Sequence, residues 1–208
     1  MINIDRSNTP PPTSLSARKD HRGDDVLDAL YSLFLRKCYL TEQRFASRND
    51  MQVDHFLPQS KRPDLRYSWP NLYPINHRAN LLKLNSDPDG GYLDPCDPSD
   101  DVENDIIYTV EMGGAALFRP RDPKNVKAVN TAALLTKLHQ ELSETIRDRH
   151  HKVVHAVAKW RTAQQLSDNQ KLNEAELDLR VLLSRKGSFT MLMRSIDVVE
   201  LLPAELFD

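Results

Sequence analysis

The stretch VDHFLPQSKRPDLRYSWPNLYPINHRANLLK, residues 53–83, decides how this chain is read. At its start Asp54 and His55 stand side by side between short apolar flanks, where a strand runs out into a loop at Pro58. A second short apolar piece surrounds Leu72 and Tyr73, and HRANLLK has the pattern of a short helix with Asn76 placed to cap it. The expected order from about Asp50 to Asn85 is therefore strand, loop, strand, helix. Asp54, His55, Asn71 and Asn80 fall within it, sixteen positions separating His55 from Asn71 and nine separating Asn71 from Asn80.

These residue types suit one kind of chemistry. Hydrolysis of a phosphodiester needs an activated water, a cation at the scissile phosphate and a geometry that aligns them. A hard cation such as Mg²⁺ keeps several waters, so one carboxylate and one amide carbonyl suffice as protein ligands. Asp54 and Asn80 supply that pair. His55, expected on the opposite side of an extended segment from Asp54, is a candidate general base. Asn71 is expected to tie the loop to the His-bearing strand through its amide. Lys83, one helical turn beyond Asn80, is a candidate phosphate contact or a plain solvated lysine. His77 near the helix start is a substrate contact or a surface residue.

On these residues the segment from about Cys38 to Lys83 resembles an HNH endonuclease of the ββα-metal type. VDHFLPQS is similar to its first strand with the Asp-His pair, WPNL to the part carrying its middle Asn, and HRANLLK to its helix, with Asn at the third motif position. The resemblance extends through YLDPCDPSDDVENDIIYTVEMGGAALFRP and NTAALLTKLHQELSETIRDRH to the PtuB-type effectors of Septu-type and retron-associated anti-phage systems. It implies Mg²⁺ or Mn²⁺ held by Asp54 and Asn80, nucleic acid as substrate with DNA ahead of RNA, and an ABC-type ATPase subunit resembling PtuA as partner. Many relatives also bind a structural zinc through two cysteine pairs. Here Cys38 remains, while Thr41, Asn76 and Ala79 stand where the other three would fall, so no structural zinc is expected. A noncatalytic scaffold that keeps the fold is the competing reading.

The remaining chain frames this segment. Residues 1–23 are rich in Pro, Ser and charge without hydrophobic period, which predicts a flexible arm. DDVLDALYSLFLRK predicts a helix from Asp24 or Asp25 to Lys37, with Arg36 and Lys37 complementing its C-terminal dipole. IIYTVEMGGAALFRP predicts two strands joined through Gly113-Gly114. After Asn130, Leu134, Leu138, Leu142 and Ile146 and then Val153, Val157 and Trp160 predict a long amphipathic helix, broken near His150 and His151, followed by helices over about 172–185 and 189–201. The expected class is α+β: a small ββα-metal HNH module with a β-hairpin, framed by N- and C-terminal helices. Its division is arm 1–23, nuclease module 24–125, and helical region 126–208 suited to partner docking.

Composition bounds the alternatives. The chain has 208 residues, 39% hydrophobic and 28% charged, with a formal net charge of -2. A chain of this length buries roughly 70% of its unfolded surface. The charge disfavours a globally basic nucleic-acid binder but leaves local basic stretches at 61–66, 119–124 and 147–152, each more commonly a solvated face. No apolar run approaches the roughly 18 residues of a membrane span, and the first residues lack a secretory pattern, so no membrane association and a cytoplasmic location are expected. Cys38 and Cys96 are too few for a disulfide framework. His151 and His155 have chelating spacing but no evident third ligand, and the acidic run from Asp94 to Asp105 lacks a calcium-loop pattern.

Overall fold

The computed structural model describes every residue except Lys19, Leu84, Asn85 and Met112. Its class is α+β. The helices are α1 (Thr13–Ser16), α2 (Asp24–Leu33), α3 (His77–Lys83), α4 (Val126–His139), α5 (Ser143–Gln165), α6 (Asn169–Leu183) and α7 (Thr190–Arg194). The strands form two antiparallel pairs, β1 (Met51–His55) with β2 (Leu72–Asn76) and β3 (Ile106–Val110) with β4 (Ala116–Pro120).

Residues 51–83 fold as strand, loop, strand, helix. Asp54 lies opposite Tyr73 and His55 opposite Leu72 in the register of β1 and β2. The Asn76 carboxamide oxygen accepts the Ala79 N–H at 2.7 Å, satisfying a free donor of α3. Tyr73 is fully buried and organises the packing around this unit, its ring 4.8 Å from Tyr39, 5.3 Å from Phe56 and 5.6 Å from Phe34. Phe34 follows α2, which buries Val26 and Leu30 against the same sheet.

Residues 1–23 are not the loose arm their composition predicts. Met1, Ile2, Ile4 and Leu15 are buried, and Ile4 donates its N–H to the Pro95 carbonyl at 2.7 Å. Arg6 donates to the carbonyls of Trp69 and Leu72 at 2.7 and 2.6 Å, with its guanidinium 4.4 Å from the centre of the Tyr73 ring. Trp69 in turn donates its indole N–H to the Thr9 carbonyl at 3.2 Å. An extended segment docked by a few apolar residues and one arginine leaves no period to read. Lys19 of the same stretch lies outside the described residues.

Three helix expectations are also corrected. The first helix ends at Leu33, because Leu35 and Arg36 both take left-handed φ, 55° and 63°. Arg36 then donates to the Tyr31 carbonyl, and Lys37 turns inward to Glu42 and Thr190 instead of serving the helix dipole. The break in the long helix falls at Gln140–Leu142, where the chain tightens into a 3₁₀ turn, and α5 runs unbroken through His150 and His151. The last predicted helix reduces to α7 and two 3₁₀ turns, at Asp197–Val199 and Ala204–Leu206, the second entered through Pro203.

The β3–β4 hairpin turns through Gly114 at φ 84°, donating to the Glu111 carbonyl. A Cβ at Gly114 would lie 2.1 Å from the Ser143 carbonyl oxygen, so both conformation and space require glycine there. Met112, in the predicted turn, lies outside the described residues. Phe118 of β4 packs on Tyr108 and on His139 at the end of α4, while α5 and α6 bury Val153, Val157, Trp160, Leu179 and Leu183. Among the described residues, no helix is long and apolar enough to cross a membrane.

Candidate functional site

A polar cleft of about 240 Å³ opens where β1 ends. It is lined by Asp54 and His55 from β1, by Asn80 and Lys83 from α3, by Gln59 from the following loop and by Arg22 from the segment before α2. Strand alternation predicts Asp54 and His55 on opposite sides, yet both border this cleft. His55 is the last residue of β1, where the chain leaves the sheet toward Pro58.

Asp54 is 8% exposed, and its Oδ2 accepts two donors: the Tyr39 hydroxyl at 2.7 Å and the Lys83 ammonium at 2.8 Å. Burial, and next the neighbouring Asp54 carboxylate, push the Tyr39 phenol well above its ordinary range, so it remains a donor. Lys83 is neither a solvated lysine nor an exposed phosphate contact. It is 3% exposed, and its Nζ also donates to the main-chain carbonyls of His55 and Phe56 at 3.2 and 3.4 Å. The i, i+3 spacing that puts Lys83 beside Asn80 on α3 turns both toward the end of β1.

His55 is fixed through both ring nitrogens. Nε2 lies 3.0 Å from the Arg66 carbonyl, an acceptor, so the proton sits on Nε2. Nδ1 then carries the lone pair and accepts from the Gln59 carboxamide at 3.0 Å. Burial lowers the imidazole's pKa, against the opposing pull of the Arg66 carbonyl and Asp54, and so favours the neutral ring that these hydrogen bonds define. Asn71 holds the loop that follows: its Oδ1 accepts the Leu57 N–H at 2.8 Å, and its Nδ2 donates to the Leu57 and Leu65 carbonyls at 3.1 and 3.5 Å.

Asn80 donates through Nδ2 to Gln52 Oε1 at 2.9 Å, and Gln52 Nε2 is 3.0 Å from His77 Nδ1. His77 is exposed and lies outside the cleft lining, linked to Asn80 through Gln52. Two oxygens, Asp54 Oδ1 and Asn80 Oδ1, have no hydrogen-bond partner among the described residues. Such a pair fits a hard, largely hydrated cation, with the Lys83 ammonium as a competitor for the same carboxylate. Among the described residues no group of three or more His, Cys, Asp or Glu side chains is arranged to hold a metal, here or around His151 and His155.

The segments of Cys38–Thr41 and Asn76–Ala79, where the resemblance would place cysteine pairs, also meet. The Asn76 carboxamide donates to Thr41 Oγ1 at 3.1 Å and to Gln43 Oε1 at 2.9 Å, beside buried Cys38. Hydrogen bonds thus join the two segments there.

Sequence reasoning missed His21, Arg22, Gln52 and Gln59. Gln59 sits within the opening motif, four residues from His55, and an i, i+4 polar partner was a usable signal. His21 and Arg22 had none, because the segment carrying them has no periodicity. No family model, no curated protein and no solved structure matches the chain.

Proposed function

We propose that the chain is a metal-dependent endonuclease that hydrolyses phosphodiester bonds of nucleic acid, built on an HNH-type ββα-metal module. The observation that carries this reading is an imidazole, anchored at Nε2 by a main-chain carbonyl, in one cleft with two oxygens from β1 and α3 that have no partner among the described residues. The meeting of Cys38, Thr41 and Asn76 where relatives hold zinc supports the same reading.

Asp54 and Asn80 would hold a Mg²⁺ or Mn²⁺ ion, which when bound would supply charge neutralisation at the scissile phosphate. His55 takes the proton of the attacking water at Nδ1, which requires the Gln59 carboxamide to release it. The Arg66 carbonyl keeps that nitrogen the basic one, and Tyr39 orients the Asp54 carboxylate. Asn71 fixes the loop that carries Gln59.

The biological setting we infer is that of a PtuB-type effector working with a PtuA-like ABC-type ATPase. Exposed Leu177 and Val181, one turn apart on α6, are apolar surface on which such a subunit would dock. One observation favours the noncatalytic alternative: the Lys83 ammonium already neutralises the carboxylate that a metal would use.

Plasmid and total-RNA cleavage with Mg²⁺, Mn²⁺ or EDTA, with and without the ATPase, separates the readings. Metal-dependent cutting that falls roughly a hundred- to ten-thousand-fold in His55→Ala is expected. Absence of cutting under every condition, partner included, leaves the scaffold reading.

A further inference from the structure

We propose that Arg22, delivered to the cleft by the segment between α1 and α2, is a phosphate-binding residue for the nucleic-acid backbone. The inference deepens the nuclease reading and rests on it. Asp54 and Lys83 neutralise one another at 2.8 Å, and the His55 ring, donating at Nε2 and accepting at Nδ1, carries no charge in these hydrogen bonds. Among the described residues that line the cleft, this leaves Arg22 as the uncompensated charge. Its guanidinium makes no ion pair or hydrogen bond among the described residues, whereas Arg48, Arg62 and Arg78 all hold carboxylates. A cleft that receives a phosphodiester needs a cation there, and a guanidinium fork matches two phosphate oxygens at once.

The segment presents this side chain from a defined turn. The Arg22 N–H donates to Asp20 Oδ1 at 2.8 Å. Asp25 binds the Ser14 N–H at 2.9 Å, and a Cβ on Gly23 would lie 2.8 Å from Ser14 Oγ, so α1 and α2 close tightly behind it. His21, only 8% exposed, packs edge-on against the His55 ring at 5.0 Å and near Tyr67 at 6.2 Å. Both His21 ring nitrogens are buried without a hydrogen-bond partner among the described residues. An imidazole buried at that cost beside His55 seats the turn on the site and turns Arg22 toward the cleft.

The test measures binding of fluorescently labelled duplex DNA and single-stranded RNA by anisotropy across a salt series. The full chain is held in EDTA to prevent metal-dependent turnover, which keeps the His55 ring on which His21 packs. Arg22→Met and Arg22→Lys are compared with Arg119→Met, an exposed arginine on the other sheet. Thermal midpoints verify that each variant is folded. Arg22→Met is expected to bind about tenfold more weakly or worse, and to lose about 0.9 from the logarithmic salt slope for duplex DNA. Arg22→Lys is expected to recover the slope but only part of the affinity, because the fork is gone. If Arg22→Met binds as Arg119→Met does, the assignment of Arg22 is wrong and the nuclease reading stands. If the unsubstituted cleft binds neither nucleic acid, both fall together.

Discussion

Replacing Lys83 with Met tests how the cleft balances its charges. Lys83 and Asp54 form a buried pair, with side chains 2% and 10% exposed, and Lys83 also holds two carbonyls at the end of β1. Removing one member of a buried ion pair costs about 3–5 kcal/mol, because the other charge is left without compensation. Asp54 keeps its bond from Tyr39, so the low end, about 3 kcal/mol, is expected without metal. In a chain of this size that lowers the thermal midpoint by about 6–12 °C.

A divalent cation should then do what the ammonium did. At an effective dielectric near 20, unit charges about 4 Å apart interact by about 4 kcal/mol, so the unsubstituted protein resists the ion that the variant welcomes. A cation at about a hundred times its dissociation constant adds about 2.7 kcal/mol, enough to restore most of the loss. The assay is a thermal melt of both proteins in EDTA and in a Mn²⁺ series. Asp54→Asn combined with Lys83→Met should recover stability relative to either single change, with a coupling of about 2 kcal/mol. The reasoning is refuted if Lys83→Met costs less than about 1 kcal/mol, below the range for breaking a buried pair, or if Mn²⁺ raises its midpoint no more than that of the unsubstituted protein.

Three further outcomes are expected. Burial pushes His139 down to about 4, so the unfolded chain binds more protons below its ordinary value. This contribution is fully present above about pH 6.5 and is lost as pH falls toward 4, an upper bound of about 3 kcal/mol that His139→Phe should flatten in urea titrations at pH 7 and 5. Introducing Thr41→Cys, Asn76→Cys and Ala79→Cys beside Cys38 should create a tetrahedral thiolate site, seen as Co²⁺ thiolate absorption and a metal-dependent rise in thermal midpoint; absence of both would separate these segments from the zinc geometry. Arg6→Ala removes two hydrogen bonds and three ring contacts, and should cost about 2–4 kcal/mol while opening residues 1–23 to proteolysis; protection equal to the unsubstituted chain would count against the staple.

The parts legible in the sequence are those whose determinants are local. The order of residues 51–83 follows from apolar runs, prolines and the Asn76 cap, and Asn71's tie to the following loop follows from amide chemistry and spacing. The β3–β4 turn follows from its glycines. The illegible parts depend on partners far along the chain. Lys37 lies beyond the end of its predicted helix and reaches Glu42 and Thr190, and Lys83 passes for a solvated helix lysine until β1 places a carboxylate beside it. His21 and Arg22 were invisible for the same reason, since the docking of their segment rests on Arg6, Ile4 and Trp69.

That docking has a consequence for the order in which the protein is made. Asn3 binds Asp101 and Glu103, and Ile4 binds Pro95, so these two residues wait for partners about a hundred positions further along the chain. Strands β1 and β2 and helix α3 are complete long before then. On the ribosome, the motif residues and the contacts of Arg6 with Trp69 and Leu72 can therefore come together first, and Asn3 and Ile4 dock only after the acidic loop has emerged.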